Sequence, residues 1–297
     1  MSVPAAYIGI ILIWSTTPLA IQWSSNEVGF LFGITSRMIL GILGGLLVAG
    51  LFNIRLPWHT AARRTYLAAG LGLFLAMTSV YWSAQFIPSG WVSVLFGLAP
   101  IITGTMATFW LAEQALTPAR VAGMLLGLAG LAIMLLGSQQ LGQHAVYGIA
   151  GMVFSVTAYS ASAIAVKRIA ADIPALATTI GALAVTVPLL LLVCILAGEP
   201  LPARVPARAA LSIVYLGLIG SVLGFAMYYY VLRHVAATRV ALITLITPIT
   251  ALLLGHVLNG EALQAEALAG SATILSGLLL FEYGQQAGRW VRDTMIG

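Results

Sequence analysis

The chain is divided into long apolar runs, at residues 4–23, 29–52, 65–87, 90–111, 119–137, 146–168, 174–197, 209–232, 236–258 and 264–284, and nothing else constrains its fold as strongly. Each run is close to the roughly 20 residues that an α-helix needs to cross a bilayer. Lipid offers backbone N–H and C=O groups no partner, so each run has to be helical. Barrel strands would alternate polar and apolar residues, and these runs do not. The predicted fold is therefore all-α, with ten transmembrane helices. Only 7% of the 297 residues are charged, against about 25% in a soluble domain, too few to clothe a water-facing surface. The connections are too short for an appended soluble domain. The first run lacks a basic leader and a convincing cleavage site, so it is expected to be a mature helix rather than a signal peptide.

Basic residues set the expected orientation. With the N-terminus inside, the cytoplasmic connections carry Arg55, Arg63, Arg64, Arg120, Lys167, Arg168, Arg233, Arg239, Arg289 and Arg292, and the external ones only Arg204 and Arg208. Ten against two places both termini in the cytoplasm. The net charge of +5 thus reads as topology, not as a nucleic-acid surface. The single cysteine, Cys194, excludes an internal disulfide. With no second Cys or His nearby, it argues against a structural zinc or iron–sulfur site.

The two halves match each other. A shift of 148 places Gly72 on Gly220, Tyr81 on Tyr229, Pro100 on Pro248 and Glu113 on Glu261. A shift of 147 then places Gly123, Gly130 and Gly137 on Gly270, Gly277 and Gly284. Proline and glutamate are scarce here, so their coincidence carries most of the weight. Five spans per half mean that the second copy enters from the opposite side, the inverted repeat typical of secondary transporters. The expected repeats are residues 1–142 and 143–297. In the bland alternative, these residues merely mark kinks and ends.

The segments from Ala99 to Gly137 and from Thr247 to Gly284 resemble the twin EamA-type repeat of the drug/metabolite transporter superfamily. Each has a proline in the fourth helix, a small residue and a glutamate at its end, and glycines along the fifth. The first repeat departs from the pattern, with Ala112 before Glu113 where Gly260 precedes Glu261. Richness in Trp and Tyr is similar to the amino acid exporter (YddG-like) branch. The resemblance implies a bacterial inner-membrane exporter with a central cavity lined by helices 1, 3, 4, 6, 8 and 9. Small metabolites such as aromatic and other neutral amino acids would be its substrates.

The residues themselves also sort the spans. The fifth, from Val121 to Gly137, has no hydrogen-bonding side chain, nor has the second from Met38 to Phe52. These can face lipid and pack through small residues such as Gly123 with Gly127 and Gly41 with Gly45. The third carries Thr78, Tyr81, Trp82 and Gln85 at i, i+3, i+4 and i+7, while Leu73, Leu75 and Val80 cover other directions. The sixth carries Ser155 and Tyr159, the first Trp14, Thr17 and Pro18, the eighth Ser221 and Tyr228, and the ninth Thr244, Thr247 and Pro248. Polar groups at membrane depth turn toward protein or a wet cavity, so these stripes are the candidate substrate-binding faces. Two other readings stay open: Trp82 and Gln85 belong to an interfacial belt, or the hydroxyls bond their own helices. Pro100 and Pro248 leave the carbonyls of Phe96 and Thr244 without helical donors. Together with Pro18 and Arg239 they are the candidate kink and gate residues. The freed carbonyls are candidate acceptors for a substrate ammonium, and the faces of Trp14, Tyr81 and Tyr159 for an apolar side chain or the cation.

Arg37 lies about 12 Å into the second span. It either snorkels or pairs with Glu27, or it meets a substrate carboxylate. Glu113 and Glu261 are expected to cap or orient the helices that follow them. Apart from Arg37, the middle thirds of the spans hold no Asp, Glu, His, Lys or Arg, which favours a facilitator or exchanger over a proton relay. No clustered carboxylates, nucleophile elbow or His-Glu-x-x-His motif supports a membrane enzyme. No metal and no cofactor is expected, and the partners are a small-molecule substrate and the bilayer. The oligomeric state stays open and accommodates a monomer. Export of drugs or nucleosides with proton coupling is the alternative, and a channel or polytopic enzyme the more distant one.

Overall fold

A computed structural model of the chain describes residues 2–111, 117–137, 144–198, 201–245 and 247–296. The described residues are helical with short connections and contain no strand. The elements are α1 (Val3–Ser25), α2 (Phe30–Leu51), α3 (Thr60–Ser83), α4 (Ser89–Phe96), α5 (Ala99–Trp110), α6 (Pro118–Gly137), α7 (Ala145–Ile169) and α8 (Ala175–Ala197). After these come α9 (Ala207–Tyr215), a π-helical segment (Leu216–Leu223), α10 (Gly224–His234), α11 (Ala237–Ala241), a 3₁₀ turn (Leu242–Leu245), α12 (Thr247–Asn259) and α13 (Ala265–Ile296). Seven stretches are long and apolar enough to cross a membrane: α1, α2, α3, α4 with α5, α7, α8, and Ala207–His234. Shorter apolar stretches lie at Pro118–Gly130, Thr250–Asn259 and Ala265–Phe281. Leu12, Leu47, Leu51, Ile195 and Leu196 are 64–76% exposed, the aliphatic coat of a body that faces hydrocarbon rather than water.

Three apolar runs expected as single rods are interrupted. The run at 90–111 breaks between α4 and α5, where Gly97 donates to the Val94 carbonyl (2.8 Å) and Leu98 to that of Leu95 (3.1 Å). These i−3 bonds tighten the turn, and Pro100 falls in the first turn of α5, where its missing N–H costs nothing. The run at 236–258 breaks in the same way, through the 3₁₀ turn, and Pro248 is the second residue of α12. The run at 209–232 keeps its course but widens into the π segment. α13 runs beyond its apolar stretch to Ile296.

Packing follows the small residues. α6 lies against α13, where a Cβ on Gly123 would meet the Gly277 carbonyl at 2.5 Å and one on Gly130 the Gly270 carbonyl at 2.7 Å. Rising numbers on one helix meet falling numbers on the other, so the pair is antiparallel. α2 and α8 are antiparallel too, Gly45 facing Ile180 and Gly41 facing Leu183. α3 packs on α7 and α8, α1 on α9, α10 and α12, α2 on the π segment, α4 on α12, and α5 on α7 and α11. At α3–α7 the Ser155 hydroxyl donates to the Ala76 carbonyl (2.8 Å) and that of Ser162 to Ala68 (3.1 Å), hydrogen bonds of the kind that hold membrane helices together.

Candidate functional site

The helix interruptions meet at a central cavity. Its walls are Trp14, Thr17, Pro18 and Ile21 of α1, Arg37 of α2, Met77 and Val80 of α3, Val92, Ser93 and Phe96 of α4, Tyr159 of α7, Phe225 of α10, and Thr244 and Thr247 from the broken segment before and within α12. Most of this wall is apolar, with one guanidinium and a few hydroxyls, the usual make-up of a small-molecule site.

Aromatic rings form its floor. The rings of Trp14 and Tyr159 lie 6.1 Å apart edge to face, Phe96 and Tyr159 6.0 Å, Trp14 and Tyr228 5.5 Å, and Tyr159 and Tyr228 5.4 Å. Such spacings stabilise each pair beyond simple burial. A second, smaller cavity shares Met77, Tyr159 and Phe225 with the first and adds Tyr228 and Tyr229. A third shares Tyr229 with the second and is bounded by Lys167, Asp172 and Arg233. The three form a file from the centre to the basic end of α7 and α10, narrowed by the tyrosines.

Both ends are tied. At one, Gln22 donates to the Ile87 carbonyl (3.2 Å), Asn259 to the Gln22 amide oxygen (3.0 Å), and the Trp23 indole to Asn259 (3.0 Å). At the other, the Lys167 ammonium donates to the carbonyls of Leu232 (2.8 Å) and Val235 (2.7 Å), and Arg233 pairs with Asp172.

Glu261 caps the opposite half. Its carboxylate accepts from Ser89 N (3.1 Å), Ser89 Oγ (2.7 Å) and Gly90 N (3.2 Å), at the start of α4. The expectation that it caps the helix following it is corrected: after Gly260, at φ +65°, the Glu261 carboxylate takes the orphan donors at the start of α4 instead. Gly is the residue that takes this conformation without strain. Glu113 lies outside the described residues.

Among the candidates, Trp14, Thr17, Pro18, Tyr159, Thr244 and Thr247 line the cavity, and Tyr228 lines the adjoining one. The Thr17 hydroxyl donates to the carbonyl of Ile13 (2.9 Å), the local bond weighed above. The polar stripe of α3 turns away: Met77 and Val80 face the cavity instead. Tyr81 is wholly buried behind this wall, accepting from Ser24 Oγ (3.4 Å) with the Arg37 guanidinium 5.9 Å from its ring. Thr78 has no partner for its buried hydroxyl. Trp82 packs edge to face on Phe86 at 5.0 Å, and exposed Gln85 bonds the Trp82 carbonyl. Ser155 is spent on the α3–α7 contact. Pro100 is buried beside the break. Arg239 is exposed, its carbonyl accepting from Tyr7 (2.9 Å).

Arg37 neither snorkels nor pairs with Glu27. It is 2% exposed, donates through Nε to Ser221 Oγ at 3.0 Å, and turns into the cavity. The π segment carries Ser221 to this position, and such wide turns often mark functional sites. Sequence reasoning missed Ile21, Met77, Val80, Val92, Ser93 and Phe225. The repeat offset alone points to Phe225, which lies 148 residues after Met77.

Comparison with known proteins agrees with this architecture. The chain is 28% identical over 286 residues to a probable terminal-alkyne amino-acid exporter of Streptantibioticus cattleyicolor, covering 90% of this chain and 92% of that one. It is 26% identical to a probable amino-acid metabolite efflux pump of Salmonella typhimurium, covering 69% and 71%. It is 25% identical to the uncharacterized inner membrane transporter YedA of Escherichia coli, covering 90% and 89%. A crystal structure with 22% sequence identity superposes with a TM-score of 0.70 over 95% of this chain and 98% of the other, which establishes the shared fold. The EamA-like transporter family matches residues 4–136 and again 146–283, and the chain is a multi-pass inner-membrane transporter belonging to that family.

Proposed function

We propose that the protein exports neutral and aromatic amino acids, or small metabolites like them, by alternating access through the central cavity, acting as a facilitator or exchanger. The carrying observation is the cavity itself: it lies where broken helices of both halves meet, and two further cavities that share lining residues in turn lead from it toward the end of α7 and α10 that carries Lys167 and Arg233. Two relatives bear names of amino-acid or amino-acid-metabolite export, which supports the substrate class.

In this reading the chain crosses the membrane ten times as two inverted repeats, residues 1–142 and 143–297, with both termini cytoplasmic. The packing supports it. Exchanging each helix for its counterpart 148 residues away turns the α3–α7 contact into that of α10 with α1, α3–α8 into the π segment with α2, and α5–α7 into α12–α1. The pairs α2 with α8 and α6 with α13 are each a helix with its own counterpart, and each is antiparallel. Two such halves can rock against each other about a shared site.

The test is counterflow. Proteoliposomes loaded with unlabelled amino acid should accumulate labelled amino acid transiently and saturably. Single-channel currents, or flux without saturation, would reject the carrier reading.

A further inference from the structure

We propose that Arg37 is the anchor for the substrate's carboxylate, so that the site selects small molecules carrying a carboxylate over otherwise identical ones lacking it. The proposal rests on the reading above that substrates occupy the central cavity.

Among the described residues, Arg37 is the one charged residue in the cavity wall. It is 2% exposed, and its Nε is held by Ser221 Oγ at 3.0 Å while Nη1 is buried with no hydrogen-bond partner. The faces of Tyr81 and Phe225 lie 5.9 and 6.0 Å from the guanidinium carbon. Rings of this kind attract a cation but do not accept its N–H groups in the plane of the fork. No carboxylate of the described chain hydrogen-bonds or ion-pairs with it, Glu27 lying exposed. A guanidinium does not deprotonate to escape burial, and a buried charge is kept only where something compensates it. An arginine retained at this depth, oriented by a serine and aimed into a cavity, lacks the anion its fork is shaped for.

The rest of the wall fits the other end of an amino acid. The Phe96 carbonyl has no helical donor because Pro100 stands four residues on, and the Phe96 residue lines the cavity. Trp14 and Tyr159 add aromatic surface beside it. A zwitterion neutralises the guanidinium with its carboxylate and offers its ammonium to a carbonyl and to ring faces. An amine without a carboxylate adds a second cation to the same chamber.

Binding to the purified full-length protein in detergent, read as the rise in melting temperature with L-phenylalanine, its methyl ester and phenylethylamine, tests the anchor. The acid should bind at least tenfold more tightly than the ester or the amine. Arg37→Met should abolish that difference, Arg37→Lys should retain part of it, and Ser221→Ala should weaken acid binding without strengthening ester binding. Equal affinity for acid and ester in the wild-type protein overturns the proposal, whether or not the Arg37→Met variant folds, as does discrimination that survives Arg37→Met. Counterflow separates the two readings: transport of phenylalanine and its ester alike leaves the carrier standing and removes the anchor, whereas carboxylate-dependent binding with no counterflow removes the carrier and keeps the anchor.

Discussion

Lys167 donates to the backbone carbonyl of Val235 at 2.7 Å, and 148 residues before Val235 the carbonyl of Ile87 receives Gln22 at 3.2 Å. Equivalent turns at opposite ends of the molecule are thus each held by a side chain from the first helix of the same half. Lys167→Met should release the basic end. In a Cys194→Ser background, a cysteine placed at Thr65, in the wall of the third cavity, should then react severalfold faster with an impermeant maleimide. Applied from the cytoplasmic face alone, the same reagent tests the orientation, and reaction only from the outside would reverse it.

The Glu261 cap predicts a stability effect that charge decides. Glu261→Gln keeps the size of the side chain but loses the charge on three hydrogen bonds to Ser89 and Gly90, each charge-assisted bond being worth roughly 1.5–3 kcal/mol. The detergent melting temperature should fall by several degrees, and further for Glu261→Ala. An unaltered melting curve for both variants would show that α4 needs no cap.

The α6–α13 contact admits no side chain where the backbones touch. Gly277→Leu drives a branched group into the Gly123 carbonyl, which even a Cβ would meet at 2.6 Å. Overpacking of this kind costs about 1–3 kcal/mol. The expected outcome is a loss of folded protein on gel filtration, whereas Gly50→Leu, with nothing near its Cβ, should behave as the wild type.

Tyr159 packs against Trp14 and Phe96 in the wall shared by the central cavity and its neighbour. Tyr159→Ala should reduce counterflow of phenylalanine and tryptophan severalfold more than that of alanine. Equal loss for all three would point to folding rather than to a pocket.

Pro100→Ala returns an N–H to the Phe96 carbonyl and rewards continuation of α4 into α5. Turnover in counterflow should drop severalfold while the amount of folded protein stays constant, because a continuous rod closes the break that the cavity uses. Unchanged turnover would leave the proline as a simple start to α5.

The long apolar runs and the sparse charges made the membrane fold legible, because a bilayer punishes every unpaired backbone group and every stranded charge, and composition records that punishment directly. The offset between the halves carried the repeat into view, and Trp14, Tyr159, Thr244 and Thr247 were found because aromatic and hydroxyl groups are costly in lipid. The face of α3 was a different matter. Tyr81 satisfies the same rule by packing on Arg37 and Ser24 inside the protein, so the cavity received Met77 and Val80, which carry no polar mark.

Periodicity within one helix says which residues avoid lipid, and it does so from local information alone. Whether such a residue meets a cavity or a neighbouring helix depends on what stands opposite it. For Arg37 that was decided by a π turn nearly two hundred residues away, which brought Ser221 to the guanidinium, and for Glu261 by the free N–H groups of a helix in the other half. The apolar solvent, the helical character of the runs and the twin repeat could be read from the residues alone, because transfer from water is settled residue by residue, whereas the breaks within three of the runs could not. Tertiary structure alone decided where the charges point, because a buried charge goes to its nearest compensating group, and nearness in space is not written in any single span.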